Sequence, residues 1–368
     1  MKNKLKFLSG LFLITLSLLT SSCKQNDRKS ATDAQTVKQD SAIASTDSLA
    51  SKNGIPVTAA NFNRAETDLY FTTSVKQSGG VGSLFHYRTL MPIDKQSVIR
   101  ANRDVLYSSG VFDLDAGPVT VTLPDPGKRF MSMQSFDEDQ YSETYYAPGT
   151  FTFTKEKIGT RYLMLGIRTF IDPNNPKDLP LVTALQNAIK ISQKDKGTFT
   201  VPNWDKVSQK KVRDSLIEVS KKLSDTKGMF GPRGKVDETL HLIGSATGWG
   251  GNPEKDALYL SVNPKKNDGK TVYKLKVKNV PVDGFWSVSV YNKEGYFEKN
   301  ALNMYTLNNI TAKKDSDGSV TIQFGGCDGK TPNCIPVTAG WNYWVRLYRP
   351  HKEVLNGTWK FPEAVEVK

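Results

Sequence analysis

Asp237, His241 and Ser245 stand four residues apart within Met229–Pro253, a glycine-dense stretch that also holds Arg233. An acid, an imidazole and a hydroxyl are the groups of a nucleophilic relay, and on one continuous helix this spacing puts them on one face. A relay needs side chains that converge over two turns, whereas Gly244 and Gly248 are expected to break the helix first. In the structural alternative His241 bonds to a backbone carbonyl or to Asp237, and Arg233 ties the stretch to a sheet. His241 and Asp237 are thus the catalytic candidates, with Arg233 and Trp249 as candidates for holding a ligand at the same joint.

A second polar group, Asn102-Arg103-Asp104, precedes a strand expected from about Leu106. At a strand entrance these residues could project into a pocket, with Arg103 gripping a carboxylate or phosphate through two parallel bonds. The alternative is a turn in which Asn102 and Asp104 hold backbone amides. Asp137-Glu-Asp-Gln-Tyr-Ser-Glu143 concentrates carboxylates, but glycosidase chemistry needs two that face each other across a bond. Its spacing, like that of Asp315-Ser-Asp-Gly-Ser319, lacks the central glycine and final glutamate of a calcium loop, so both are read as solvated loops. The chain holds no nucleophile-elbow, zinc-protease, P-loop or dinucleotide motif. Three histidines, His86, His241 and His351, make a multi-histidine metal centre improbable, and neither a metal nor a cofactor is implied.

Aromatic residues are the other conspicuous resource, among them Tyr141, Tyr145, Tyr146, Trp249, Trp286, Tyr291, Trp341 and Trp344. Exposed rings can stack on the apolar faces of sugars, but core packing and contact between domains are their default uses. Alternation places Trp286, Val288 and Val290 on one face of a strand and Phe285 and Tyr291 on the other, which permits a core on one side and an interface on the other.

The elements that must position these residues are mainly β. Val119–Leu123, Phe130–Phe136, Tyr162–Ile167, Tyr273–Lys278, Phe285–Tyr291, Val320–Phe324 and Tyr343–Tyr348 alternate with period two, with Pro, Asp and Gly between them. Asn61–Val75 is ambiguous and could form a short helix through Phe62, Ala65, Leu69 and Thr73. In the middle, Leu181, Leu185 and Ala188/Ile189 make one helical stripe, and Val212, Leu216, Val219 and Leu223 a second. Lys194–Asn203 between them carries Gly197 and Pro202, so the two helices are expected to form a hairpin; a third helix is expected over Val236–Ile243. The fold class is mainly β with a helical segment: two antiparallel β-sandwich, jelly-roll-like domains joined by an α-helical hairpin.

The N-terminus places the protein outside the cytoplasm. Lys2, Lys4 and Lys6 precede an apolar run, Phe7–Leu19, too short to span a bilayer comfortably, and Leu18-Leu-Thr-Ser-Ser-Cys23 looks like a bacterial lipobox. Thr20 stands where a large apolar residue is usual three places before the cysteine. The expected organisation is a signal peptide at 1–22, a disordered tether at 23–55 following lipidated Cys23, an N-terminal β domain at 56–175, a helical linker and Gly-rich joint at 176–254, and a C-terminal sandwich at 255–368. Net charge is +13, and removing the three signal lysines leaves +10, scattered rather than clustered. Charge distribution and compartment both argue against nucleic acid as a partner. In an oxidising compartment Cys327 and Cys334, seven residues apart around a Gly/Pro/Asn turn, read as a disulfide worth about 2–3 kcal/mol by loop closure.

Asn102-Arg-Asp-Val-Leu-Tyr-Ser108, Asp113-Leu114 and Leu123-Pro-Asp-Pro-Gly-Lys-Arg-Phe130 resemble the bacterial domain of unknown function numbered 1254. Val280-Pro-Val-Asp-Gly-Phe-Trp-Ser-Val-Ser-Val-Tyr-Asn292 and Gly340-Trp-Asn-Tyr-Trp-Val-Arg-Leu-Tyr-Arg-Pro350 resemble its usual partner, numbered 1214. Met229–Pro253 resembles the linker of short, lipoprotein-like members. The resemblance implies two β-sandwiches with helices between, and it brings no activity and no catalytic residues. Three functions follow as expectations: a lipid-anchored envelope module binding a glycan, lipid or small amphiphile; an envelope hydrolase using His241 or carboxylates between domains; and a homo-oligomer seamed by the helical hairpin.

Overall fold

Alternating burial along strands fixes most of the architecture. In a computed structural model the described residues are 54–368 apart from 97, 98 and 174, and they fall in one compact unit. The expected signal, Cys23 and nearly all of the tether lie outside the described residues.

Helix α1 (Phe62–Ser78) is followed by strands β1 (Phe85–His86), β2 (Val105–Asp113), β3 (Val119–Leu123), β4 (Met131–Phe136), β5 (Ser142–Tyr146) and β6 (Gly149–Phe153). Then come α2 (Lys155–Ile158), β7 (Tyr162–Phe170), α3 (Asp178–Asn187), β8 (Lys190–Gln193), α4 (Lys206–Ser220) and α5 (Glu238–Gly248). The C-terminal region holds β9 (Ala257–Val262), β10 (Tyr273–Val277), β11 (Trp286–Tyr291), β12 (Thr306–Asn308), β13 (Val320–Phe324), β14 (Cys334–Ile335), β15 (Asn342–Tyr348), α6 (Lys352–Leu355) and β16 (Val365–Glu366). Asn61–Val75, ambiguous in the sequence, is helical, and Gly79 ends α1 in the left-handed region at φ 72°.

The N-terminal strands form a five-stranded antiparallel sheet, β1-β2-β7-β4-β5, and a three-stranded one, β6-β3-β8. One apolar core draws on both, with Val119, Val121 and Leu123 of β3 meeting Met131 and Met133 of β4 and Leu163, Leu165 and Ile167 of β7. The C-terminal strands form two four-stranded sheets, β14-β13-β10-β16 and β12-β11-β15-β9. Their pairings are antiparallel except β13 with β14, and Leu275, Ile322 and Phe324 share a core with Trp286, Val288, Val345 and Leu347. The fold is therefore mainly β, built of antiparallel sheets with six helices among the described residues. Cys327 and Cys334 form the expected disulfide, with a Cα–Cα distance of 5.6 Å.

The middle region departs from a helical hairpin. Strand β8 lies between α3 and α4 and pairs with β3, so Lys190–Gln193 serves the N-terminal sheet. Helix α3 is also rotated away from its expected stripe: Leu181 is exposed, and Asp178, Val182 and Gln186 are buried instead. Polar anchors set that rotation. Asp178 takes a two-pronged bond from Arg129 at 2.9 and 2.5 Å, and Gln186 Nε2 donates to the Tyr87 and Tyr107 carbonyls. Helix α4 packs on α1 and α5, where Arg213 pairs with the buried Glu66 at 2.8 and 2.5 Å. Val212 and Leu216 face inward as expected, whereas Val219 is exposed.

Candidate functional site

Helix α5 carries the first group of expected site residues, and it runs on through Gly244 to Gly248 instead of breaking. Gly244 is needed for contact, since a Cβ there would lie 2.9 Å from Phe230 Cε1 and 3.0 Å from Met229 Cβ. Asp237 is the N-cap, its carboxylate accepting from Leu240 N at 2.9 Å. His241 is fully buried, with Nδ1 2.9 Å from Met229 O and Nε2 3.0 Å from Asp139 O. Both ring nitrogens thus face carbonyl oxygens, and Ser245 Oγ donates elsewhere, to Gln140 Oε1 and His241 O. The three residues share a helix face without forming a chain of proton transfer.

The loop joining β4 to β5 is not solvated. Asp137, Glu138 and Gln140 are buried, and the loop is the hub of an ion-pair network. Arg64 grips Asp139 at 2.8 and 3.0 Å, and Arg233 reaches Asp137 at 2.7 Å and Asp139 at 2.8 Å. Burial pushes the Asp137 carboxyl upward against the pull of Arg233. Burial also works against the Asp139 carboxylate, but Arg64 and Arg233 outweigh it and hold that group below its ordinary value. The Tyr141 ring stacks on His241 at 4.3 Å and lies beneath Arg233 at 4.1 Å. Arg233 therefore ties the Gly-rich stretch to a sheet, as the structural alternative expected.

Asn102, Arg103 and Asp104 diverge. Asn102 Oδ1 accepts from Asp104 N at 2.8 Å, the turn expected of it, while its Nδ2 donates to the Tyr348 hydroxyl at 2.7 Å. Arg103 turns back to Met91 O and stands over the Tyr305 ring. Asp104 is fully buried and accepts from Asn308 Nδ2 at 3.1 Å; burial pushes its carboxyl up, opposed by Arg346.

The cavity lies elsewhere, between the five-stranded sheet and the β9–β15 pair, and has a volume of about 480 Å³. Its floor is one face of the five-stranded sheet: Tyr107 is registered with Arg168, Ser109 with Gly166, and Phe136 with Met164. Its roof is one face of β15, where Trp344, Arg346 and Tyr348 alternate with the core residues Val345 and Leu347, and Tyr259 of β9 is registered opposite Arg346. Thr89–Pro92, Lys95 and Ile99–Asn102, Tyr70 of α1 and the end of α5 with Trp249–Gly251 close the sides. Trp249 stacks on Tyr70 at 4.3 Å and on Phe136 at 5.1 Å, and its indole N–H donates to Thr67 Oγ1 at 3.1 Å. Gly251 beside it is required by contact, since a Cβ there would lie 2.3 Å from Phe230 Cε2.

The comparisons with known proteins follow the same division. Residues 81–156 match a family described as protein of unknown function DUF1254, and residues 259–352 match protein of unknown function DUF1214. The two matches stand in this N- to C-terminal order and together span a little under half of the chain. A search of curated proteins finds none that matches. The crystal structure of the VPA0106 protein from Vibrio parahaemolyticus is similar at a TM-score of 0.62 and 19% identity, over 84% of this chain and 98% of that one, which is a likeness of fold. An uncharacterised protein from Burkholderia cenocepacia, at 12% identity over 84% of this chain and 87% of its own, has a TM-score of 0.47.

The cavity takes Arg100, Asn102 and Tyr107 from the first matched range and Tyr259, Trp344, Arg346 and Tyr348 from the second. Arg168 and Trp249 come from the segment between the two ranges. Of the expected ligand-binding residues, Asn102 and Trp249 line the cavity, whereas Arg103, Asp104 and Arg233 do not. Sequence reasoning missed Arg100, Arg168 and Arg346. A signal was present for Arg346, which is flanked at two-residue spacing by Trp344 and Tyr348 on a strand whose other face is apolar.

Proposed function

We propose that this protein is a binding module whose cavity takes a small amphiphile. The observation that carries the reading is the cavity itself: about 480 Å³, walled by aromatic and apolar side chains, with no Asp, Glu or His among its described lining residues. That volume lies within the range of roughly 300–1,000 Å³ usual for small-molecule sites. Hydrolysis needs a group to activate water or a nucleophile, and Asp237 and His241 are engaged elsewhere, Asp237 in capping α5 and His241 between two carbonyls. The paired sheets of each half are read as β-sandwiches, and export with lipidation at Cys23 would put the binding module at the membrane surface of the bacterial envelope. Replacing Cys23 with Ser and following the protein between membrane and soluble fractions tests the anchor; unchanged membrane retention would remove it.

Binding is tested by isothermal titration with ten-carbon amphiphiles below their micelle concentration. Tryptophan fluorescence supplies a second readout, because Trp249 and Trp344 line the cavity. Thr247, half-buried in the wall, gives the control. Thr247→Trp fills the cavity and is expected to lower affinity at least about tenfold, since the space it takes is the space the chain needs. Saturable binding that survives this substitution would place the ligand outside the cavity.

A further inference from the structure

Three guanidinium groups enter the cavity without a direct ion pair; only Arg346 feels a buried carboxylate, Asp104, which acts on it through space and favours its charged form. Arg168 and Arg346 are 7% and 3% exposed, Arg100 is half-buried, and among the described residues none of the three forms an ion pair. Their hydrogen-bond partners are neutral. Arg168 donates to Gln134 Oε1 and Gly250 O, both at 2.7 Å. Arg346 donates to Ser289 Oγ, the Tyr291 hydroxyl and the Arg100 carbonyl at 2.9, 2.6 and 2.8 Å. Arg100 donates to Asn342 Oδ1 at 2.8 Å and lies 4.5 Å over the Trp344 ring. Taking a cation out of water is costly, and neutral acceptors offset only part of that cost.

Phenol groups complete the set of donors. The Tyr348 and Tyr259 hydroxyls already accept from Asn102 Nδ2 and Asn252 Nδ2, at 2.7 and 2.6 Å, so each keeps its own proton to donate. Burial and the neighbouring Tyr259 and Tyr107 push the Tyr348 phenol well above its ordinary value, which keeps it an O–H donor at neutral pH. Burial, together with the like charge of Arg346, pulls Arg100 below its ordinary value. A negative group would relieve that repulsion. Away from these donors the walls are apolar and aromatic, supplied by Trp249, Phe136, Tyr70 and Met164.

We propose that the cavity selects an amphiphile with an acidic head group, a carboxylate or a phosphate, bound by Arg100, Arg168 and Arg346 with its apolar part against Trp249 and Phe136. This deepens the binding reading above and rests on it. Charge-assisted bonds to such oxygens are shorter and stronger than those to a neutral hydroxyl. The site therefore discriminates by head group at constant chain length.

The test compares decanoate, decyl phosphate and decanol binding to the full-length protein at neutral pH. The proposal expects at least one of the two anions to bind at least about tenfold more tightly than decanol, the scale of a bond to a charged group. A preference for decanoate assigns a free carboxylic acid, and a preference for decyl phosphate assigns a phosphorylated head. Arg100→Met, with Arg100→Gln as a second form should the first fail to fold, is expected to remove most of the preference and to leave decanol affinity nearly unchanged. Equal affinities for the anions and decanol in the unmodified protein would overturn the acidic-head proposal while leaving an amphiphile cavity. Failure of all three to bind would overturn the cavity reading and this proposal together.

Discussion

The hub around Asp137 and Asp139 and the cavity around Arg168 and Arg346 both gather arginine, but the hub pairs partly exposed arginines directly with carboxylates, whereas the cavity buries Arg168 and Arg346 without a direct ion pair. In the hub Arg64 and Arg233 meet Asp137 and Asp139 at 2.7–3.0 Å, and backbone amides complete the set. In the cavity the hydrogen-bond partners of the buried guanidiniums are amides, hydroxyls and carbonyls, and Asp104 acts on Arg346 only through space. Both clusters lie beside Met229–Pro253, the richest stretch of candidate chemistry in the sequence. The difference teaches that polar density in a sequence marks a place where segments are tied together, whereas an incompletely neutralised charge in a fold marks a place for something else to bind.

The largest effect expected from this contrast is in the hub. Asp137 holds Arg233 and also accepts from Asp139 N and Tyr141 N at 2.8 and 2.9 Å. Asp137→Ala removes all three bonds from a buried carboxylate whose arginine partner is half exposed, and after discounting the ion pair for solvent screening a cost on the order of 2–3 kcal/mol is expected in urea unfolding. A cost under about 1 kcal/mol, typical of exposed pairs, would make the hub a surface feature and dissolve the comparison. Arg100→Met in the cavity should by contrast change ligand preference far more than stability.

Asp68 sharpens the comparison from within the paired region. It is buried beside the hub, accepts from Trp204 Nε1 at 2.8 Å, and has its carboxyl pushed up to about 6, chiefly by burial and also by Glu138. The folded state then holds this proton across about pH 4–6 while the unfolded chain, ionising near its ordinary value of about 4, has lost it. Stability must therefore fall as pH rises through that window, by an amount on the order of 2–3 kcal/mol for this group. Asp68→Asn keeps an acceptor for Trp204 and is expected to flatten the slope and to raise stability at neutral pH. An unchanged slope between pH 4 and 6 would show that Asp68 ionises in the folded state as freely as it does unfolded.

Much of the β architecture was legible because burial on one side of a strand writes itself as alternation. Val119–Leu123 and Trp286–Val290 fall where the period of two placed them, and Phe285 and Tyr291 leave the core for the opposite face. Helix rotation was harder to read. In α3 the apolar stripe through Leu181 lost to two polar anchors, Asp178 and Gln186, whose partners Arg129, Tyr87 and Tyr107 are distant in sequence. The cavity was hidden for a related reason. An arginine within a strand reads as the solvent side of the alternation, and only the apposition of β2–β7–β4 with β9–β15 turns Arg168 and Arg346 inward against each other's sheets. Asp137–Glu143 erred the other way, as a run of acids that looked solvated until Arg64 reached Asp139 from 75 residues away and Arg233 reached Asp137 from 96.

The smallest effect separates the two regions most cleanly. His241 links Met229 O to Asp139 O and stacks on Tyr141, but it does not line the cavity. His241→Gln keeps one amide donor for one of those carbonyls and gives up the other bond and the ring contact, at a cost of about 1–2 kcal/mol. Its effect on amphiphile affinity should be under about twofold, well inside the range of a site left untouched. A loss of affinity as large as that of Arg100→Met would couple hub and cavity into one site and return His241 to the functional chemistry. Loss of stability alone keeps the imidazole where its two carbonyl contacts put it, in the tie that holds α5 to the sheet while Trp249, at the end of the same helix, lines the cavity.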